Sequence, residues 1–295
     1  MNPIIECNNL FKNYGDFTAL NNINLKLEAN KIYGLLGRNG AGKTTFLNIL
    51  SGHIFTSSGE IRIDGEIPYE NRKILEMMAY VKEESAFIDT LKVKDLFATA
   101  SLFYINWDQK YFKELLNLFP INLNKKYKDL SKGMKSIVNI IIGLASRAPI
   151  TIFDESSMGL DTPSRQLFYD CLLKDFSENP RTIIFATHLI DEVSKLFEEV
   201  IIIDGGEIIL KEEVEILREN SKKIVGKKDA IERIFNDQDI LFIREFASYA
   251  EIFLSGELSA DKKREISKQG LEINRLSLSE LFTYLTIGER SGNNE

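Results

Sequence analysis

Four runs along the chain, residues 31–36, 151–153, 182–186 and 200–203, are almost wholly apolar. Unbroken runs of this kind suit strands covered on both faces, as in a parallel sheet flanked by helices. Helical spacing of apolar positions between them predicts helices at residues 43–50, 107–118, 132–145, 163–176 and 190–197. Alternation of strand and helix predicts an α/β architecture. Three earlier pieces, residues 4–10, 25–28 and 60–63, alternate apolar with polar and predict an antiparallel sheet along one side. Residues from about 72 to 145 read as mostly helical, a lobe inserted between strands. After Leu217 the texture changes to a polar, basic stretch at 220–228. Strand candidates at 240–246 and 250–254 and a charged helical stretch at 260–269 follow. The expected organisation is a domain over 1–217 and a small α+β appendage over 218–295, its sheet open with one covered face, ending in a frayed tail at 291–295.

Composition narrows the function classes. With 295 residues, 44% of them hydrophobic and 27% charged, the chain has ample core and needs no disulfide staples. Cys7 and Cys171 lie in apolar segments without metal-binding spacing and read as reduced thiols. The 44 acidic against 37 basic residues give a charge of −7, which argues against nucleic acid as a partner. No run approaches the ~18 apolar residues of a membrane span, so a cytosolic location is expected.

Candidate chemistry begins at residues 37–44, GRNGAGKT, which match GxxxxGK[ST] after an apolar strand and before a helix. Gly37, Asn39, Gly40, Ala41 and Gly42 form a loop whose backbone N–H groups turn inward on phosphates, and the helix start adds positive potential. Lys43 is placed for the β and γ phosphates of ATP, Thr44 for Mg²⁺, and Thr45, in the first helical turn, for binding the nucleotide beside it. Residues 150–155, ITIFDE, form an apolar strand ending in two carboxylates. Asp154 is placed to support Mg²⁺ through water and Glu155 to polarise the attacking water. His53, beyond the phosphate-loop helix, matches nothing.

These two elements define a P-loop NTPase, and the remaining motifs resemble the ATP-binding-cassette (ABC) ATPases over residues 4–217. Residues 130–134, LSKGM, are similar to the family's LSGGQ signature, with Ser131 and Gly133 in the phosphate-facing positions. Residues 159–161, GLD, resemble the D-loop with Asp161. His188 closes an ATH strand end like the switch histidine, and Tyr14 matches the aromatic that stacks on adenine. The resemblance implies a RecA-like core with an antiparallel side sheet and an inserted helical lobe. It also implies a sandwich dimer in which ATP lies between the phosphate loop of one subunit and the signature of a second, and a separate transmembrane permease that holds the ATPase at the inner face of the membrane. Three positions depart from the pattern. Glu83 stands where the family carries a Gln that touches Mg²⁺ and water, and Lys132 and Met134 replace signature residues. LSKGM resembles the variant of peptide and antimicrobial exporters. A soluble or regulatory ABC ATPase not tied to a membrane is the alternative. Apolar residues Phe87, Ile88, Leu91, Val93, Leu96 and Phe97 are read as a groove for a helix of the permease, or else as lobe core.

Overall fold

A computed structural model describes residues 3–83, 87–236, 240, 242–256 and 258–288, so the tail at 291–295 lies outside the described residues. Two compact units are present, one of residues 1–188 with 195–210, the other of 189–194 with 211–295.

The first unit carries the apolar runs as a six-stranded sheet. Its strands are β3 (Ile32–Leu36), β5 (Met78–Lys82), β6 (Ile150–Asp154), β7 (Thr182–Ala186), β8 (Glu199–Asp204) and β9 (Glu207–Glu213), in the order β5-β6-β7-β3-β8-β9. Pairings from β5 through β8 are parallel. Every residue of β3, β6 and β7 is buried, which is why these strands read as unbroken apolar runs. A second sheet, antiparallel and ordered β2-β1-β4, is built from β1 (Ile5–Tyr14), β2 (Phe17–Leu27) and β4 (Ser58–Ile63). Its strands run further than their alternation suggests, because irregularities in the β1–β2 register, between Cys7 and Leu10 among others, break the period of two. One core joins the two sheets, with Ile5, Leu10, Leu20 and Ile61 packed among Leu35, Phe46, Ile152 and Ile201.

Helix starts follow capping chemistry. Asp108 Oδ1 accepts from the Lys110 and Tyr111 N–H groups, so the helix is Gln109–Leu118 rather than 107–118. Asp161 Oδ1 accepts from Ser164 N–H, and with Pro163 in the first turn it opens Thr162–Glu178. The interval 72–145 is not continuously helical. Arg72–Leu75 is a single turn, and the following residues form β5 at the edge of the core sheet. Helices Val93–Phe103, Gln109–Leu118 and Lys132–Ala145 make up the rest. Of the six apolar residues read as a groove, Val93, Leu96 and Phe97 are buried and belong to the lobe core, while Ile88 is exposed. The helix expected at 190–197 stops at Val193.

The second unit is a βαββαβ arrangement of β10 (Ser221–Lys227), β11 (Phe242–Phe246), β12 (Tyr249–Ser255) and β13 (Glu272–Arg275), ordered β11-β12-β10-β13 and antiparallel throughout. This is the ferredoxin-like topology. Alternate residues of β12 face opposite ways: Ala250, Ile252 and Leu254 pack with Ile231 of Lys228–Ile234 and Ile266 of Ala260–Lys268, whereas Phe253 stacks on Tyr284 of Leu278–Gly288 at 3.8 Å. Both faces are therefore covered, not one. Residues 211–217 join this unit, where Val214 is buried and Arg218 donates to the Ser194 carbonyl at 3.2 Å.

Candidate functional site

The carboxyl ends of the central strands bring the distant motifs together. Lys82 lies level with Asp154, and Asp154 with Ala186. One residue further on, the Glu83 N–H donates to the Asp154 carbonyl at 3.0 Å and the Glu155 N–H to the Ala186 carbonyl at 2.9 Å. β3 pairs with β7, so the phosphate loop springs from this same edge, the end of an α/β sheet where ligands bind.

The loop geometry explains its glycines. Gly42 has φ +109°, and a Cβ there would meet the Ala19 carbonyl at 2.8 Å, so only glycine lets the backbone turn into the helix start. A Cβ on Gly37 would strike the Ile203 carbonyl at 2.6 Å. Lys43 is buried, and its ammonium donates to the carbonyls of Gly37 at 2.6 Å and Arg38 at 3.1 Å. Burial pulls its pKa below the usual lysine range, against the nearby charges of Glu155 and Asp154. A cleft of about 300 Å³ lies over this loop, lined by Phe17, Arg38, Asn39, Gly40, Gly42, Lys43, Thr44, Thr45, Asp154 and Glu155, among others.

Asp154 and Glu155 differ in environment. Asp154 is buried, which raises its pKa; donation from the Tyr80 hydroxyl and the charge of Lys43 oppose that rise. Glu155 sits in the left-handed region at φ +49°, an unusual backbone that swings its side chain out of the strand line. Its Oε2 lies 3.0 Å from Nδ1 of His188. This pair has the form of a water-activating carboxylate oriented by an imidazole.

Several sequence-predicted residues lie elsewhere. Tyr14 faces Phe17 across the β1–β2 turn with its ring 5.2 Å from the Lys12 ammonium, and Phe17, not Tyr14, lines the cleft. The available signal was a second aromatic across the Gly15-Asp16 turn. Ser131, Gly133 and Asp161 do not line the cleft either. Ser131 caps its helix by accepting from Met134 N–H, and a Cβ on Gly133 would meet the Gly159 carbonyl at 2.6 Å, so signature and D-loop form one close-packed surface. Glu83 is likewise absent from the cleft lining; its Oε1 is held by Lys132 Nζ at 2.5 Å. Two of the three departures from the family pattern, Glu83 and Lys132, thus neutralise each other within one subunit. Among the described residues no three acidic, histidine or cysteine side chains converge as a metal cage. Thr44 and Asp154, two oxygen donors beside a phosphate-sized space, fit an ion that keeps its waters and shares phosphate oxygens.

The family described as ABC transporter matches residues 20–158. The lantibiotic transport ATP-binding protein SrtF of Streptococcus pyogenes is 31% identical over 241 residues, 81% of this chain and 98% of its own length. The chain belongs to the ATP-binding subunits of ABC transporters. The ABC transporter ATP-binding protein YtrB of Bacillus subtilis (strain 168) is 25% identical over 290 residues, 97% of this chain and 99% of its own. A solved ATP-binding subunit of an ABC transporter superposes with a TM-score of 0.67 at 22% identity, covering 73% of this chain and 92% of that one. The cassette is an ATPase, and its hydrolysis of ATP powers transport. Among the described residues no helix is long and apolar enough to cross a membrane.

The ion pair at the inter-lobe loop yields a prediction. Side chains 57% and 31% exposed, as in Lys132 and Glu83, contribute at most about 1 kcal/mol to stability. Glu83→Gln should therefore leave the melting temperature within about 3 °C and ATP turnover at or above the parent rate, since the amide removes a negative charge that acts on Asp154. Steady-state ATPase rates and a thermal melt check this; a fall of tenfold or more in turnover would make Glu83 an essential ligand.

Proposed function

We propose that this cassette drives export of a peptide-like antimicrobial compound through a separate membrane-spanning permease, working as a dimer at the cytoplasmic face. The observation that carries the reading is the match to SrtF, named for lantibiotic transport, at 31% identity over nearly all of that protein. In this reading Lys43 and the loop glycines hold the ATP phosphates, and Thr44 and Asp154 hold Mg²⁺, which when bound neutralises charge on the phosphates. Glu155 takes the proton of the attacking water, and His188 orients that carboxylate. Ser131, Gly133 and Asp161 face the nucleotide of a second subunit, which accounts for a cleft that lacks them. The first unit acts as the ATPase domain and the second as an accessory domain that steadies or regulates the pairing. The helical lobe presents exposed apolar side chains, Ile88, Leu102, Phe103 and Ile105, as a surface for the permease.

The test is to search the neighbouring reading frames for a multi-spanning protein and co-express the chain with it. The expected result is recovery of the chain with washed membranes only when that protein is present, together with raised cell tolerance to a lantibiotic that Lys43→Ala abolishes. A chain that stays in the soluble fraction alongside an abundant permease would overturn the transporter reading, and tolerance unaffected by Lys43→Ala would overturn the substrate class.

A further inference from the structure

The geometry points to Tyr80 as the residue that positions the Asp154 carboxylate for nucleotide-bound metal. This rests on the reading of Asp154 as a metal-supporting group. Tyr80 lies on β5, beside β6, and its hydroxyl donates to Asp154 Oδ2 at 2.9 Å. That bond fixes the carboxylate's rotation and occupies one of its oxygens. A carboxylate pinned by one oxygen presents the other in a single direction, and second contacts of this kind set ligand orientation at metal sites.

The phenol is itself fixed on two sides. The Lys82 ammonium lies 4.4 Å from the Tyr80 ring centroid and donates to Asn48 Oδ1 at 3.0 Å. The His53 ring meets Tyr80 edge-on at 5.7 Å between centroids, and its Nδ1 lies 2.6 Å from Ser51 Oγ. Asn48 belongs to the helix Lys43–Leu50, with Ser51 at its C-cap and His53 just beyond. The tail of the phosphate-loop helix therefore supports the tyrosine that holds the metal-side carboxylate, while its first turn carries Lys43 and Thr44. His53, which matches no motif, finds its use here as packing for Tyr80.

Tyr80→Phe removes only the hydroxyl and keeps the ring contacts with His53 and Lys82. A hydrogen bond to a charged group is worth about 1.5–3 kcal/mol, which corresponds to roughly ten- to a hundredfold in an equilibrium constant. Equilibrium binding of ATP to the full chain is measured with Mg²⁺, with Mn²⁺ and in excess EDTA, alongside the metal dependence of turnover. The expected result is a dissociation constant raised about tenfold or more with metal and unchanged in EDTA, and a higher metal concentration for half-maximal turnover. Binding weakened equally with and without metal, or unchanged in both, overturns the assignment. Asp154→Ala distinguishes failure of the underlying reading: if it too leaves metal-dependent binding unchanged, Asp154 does not support the metal and the role of Tyr80 falls with it. A melting temperature of Tyr80→Phe within a few degrees of the parent excludes a folding defect as the cause.

Discussion

Replacing Glu155 by Gln should leave ATP bound and remove its hydrolysis. The amide has nearly the volume and shape of the carboxylate, so the cleft and the contacts of Lys43 with the loop persist. What it lacks is basicity. An amide oxygen can accept a hydrogen bond from water but cannot take up its proton, and positioned general bases contribute on the order of 10²–10⁴-fold. At 1.36 kcal/mol per factor of ten, that is about 3–5 kcal/mol of barrier. The contact with His188 at 3.0 Å gives the experiment a second reading. If His188 acts by orienting Glu155, then His188→Ala in the Glu155→Gln background should add little further loss, because groups acting as a unit are not additive. Steady-state turnover and equilibrium ATP binding measure the two halves of the prediction, and size-exclusion chromatography should show an ATP-dependent dimer that persists in the variant. Turnover within tenfold of the parent would remove Glu155 from the base role.

The parts of this site that could be read from the sequence are those whose chemistry is local. GRNGAGKT carries its own strand, turn and helix start within a short stretch, and the clashes a Cβ would suffer at Gly37 and Gly42 show why the glycines were informative. Asp154, Glu155 and His188 were legible because parallel strands end together, so residues just past two apolar runs become neighbours without any detailed knowledge of packing. Tyr80 bonding Asp154, Lys132 holding Glu83 and Phe17 on the cleft wall are contacts between residues distant in sequence, and no periodicity announces them. The same limit explains the fold. β5 has only five residues, and an apolar run that short does not separate strand from helix. The appendage's second covered face depends on Tyr284 meeting Phe253, which alternation along β12 alone does not reveal.

A charge cluster far from any motif carries the largest stability effect expected in the cassette. Asp175, on the helix Thr162–Glu178, is almost fully buried and accepts from Nη1 of Arg181 at 2.7 Å and from Nη1 of Arg147. Arg147 also reaches Asp108, the cap of Gln109–Leu118, at 3.1 Å, so the helical lobe and the core are joined through one guanidinium. Arg181 is 5% exposed, and burial, with Arg147's charge second, pulls its pKa down to about 10. The cluster stands beside a cavity of about 640 Å³ lined by Arg147, Arg181 and Asp108, among others. Asp175→Asn would leave a buried guanidinium without its counter-charge, a change that costs about 3–5 kcal/mol. The melting transition should fall by about 10 °C, using the 2–4 °C per kcal/mol of a domain this size. Because the chain has two units, the transition to follow is the one that added ATP raises, since ligand binding stabilises only the unit that binds it. Asp108→Ala, which loses an ion pair from a side chain 34% exposed and the cap of Gln109–Leu118, should cost about 1–2 kcal/mol by comparison. If Asp175→Asn shifts that transition no more than Asp108→Ala does, solvent screens the whole cluster and the buried-pair account of it fails.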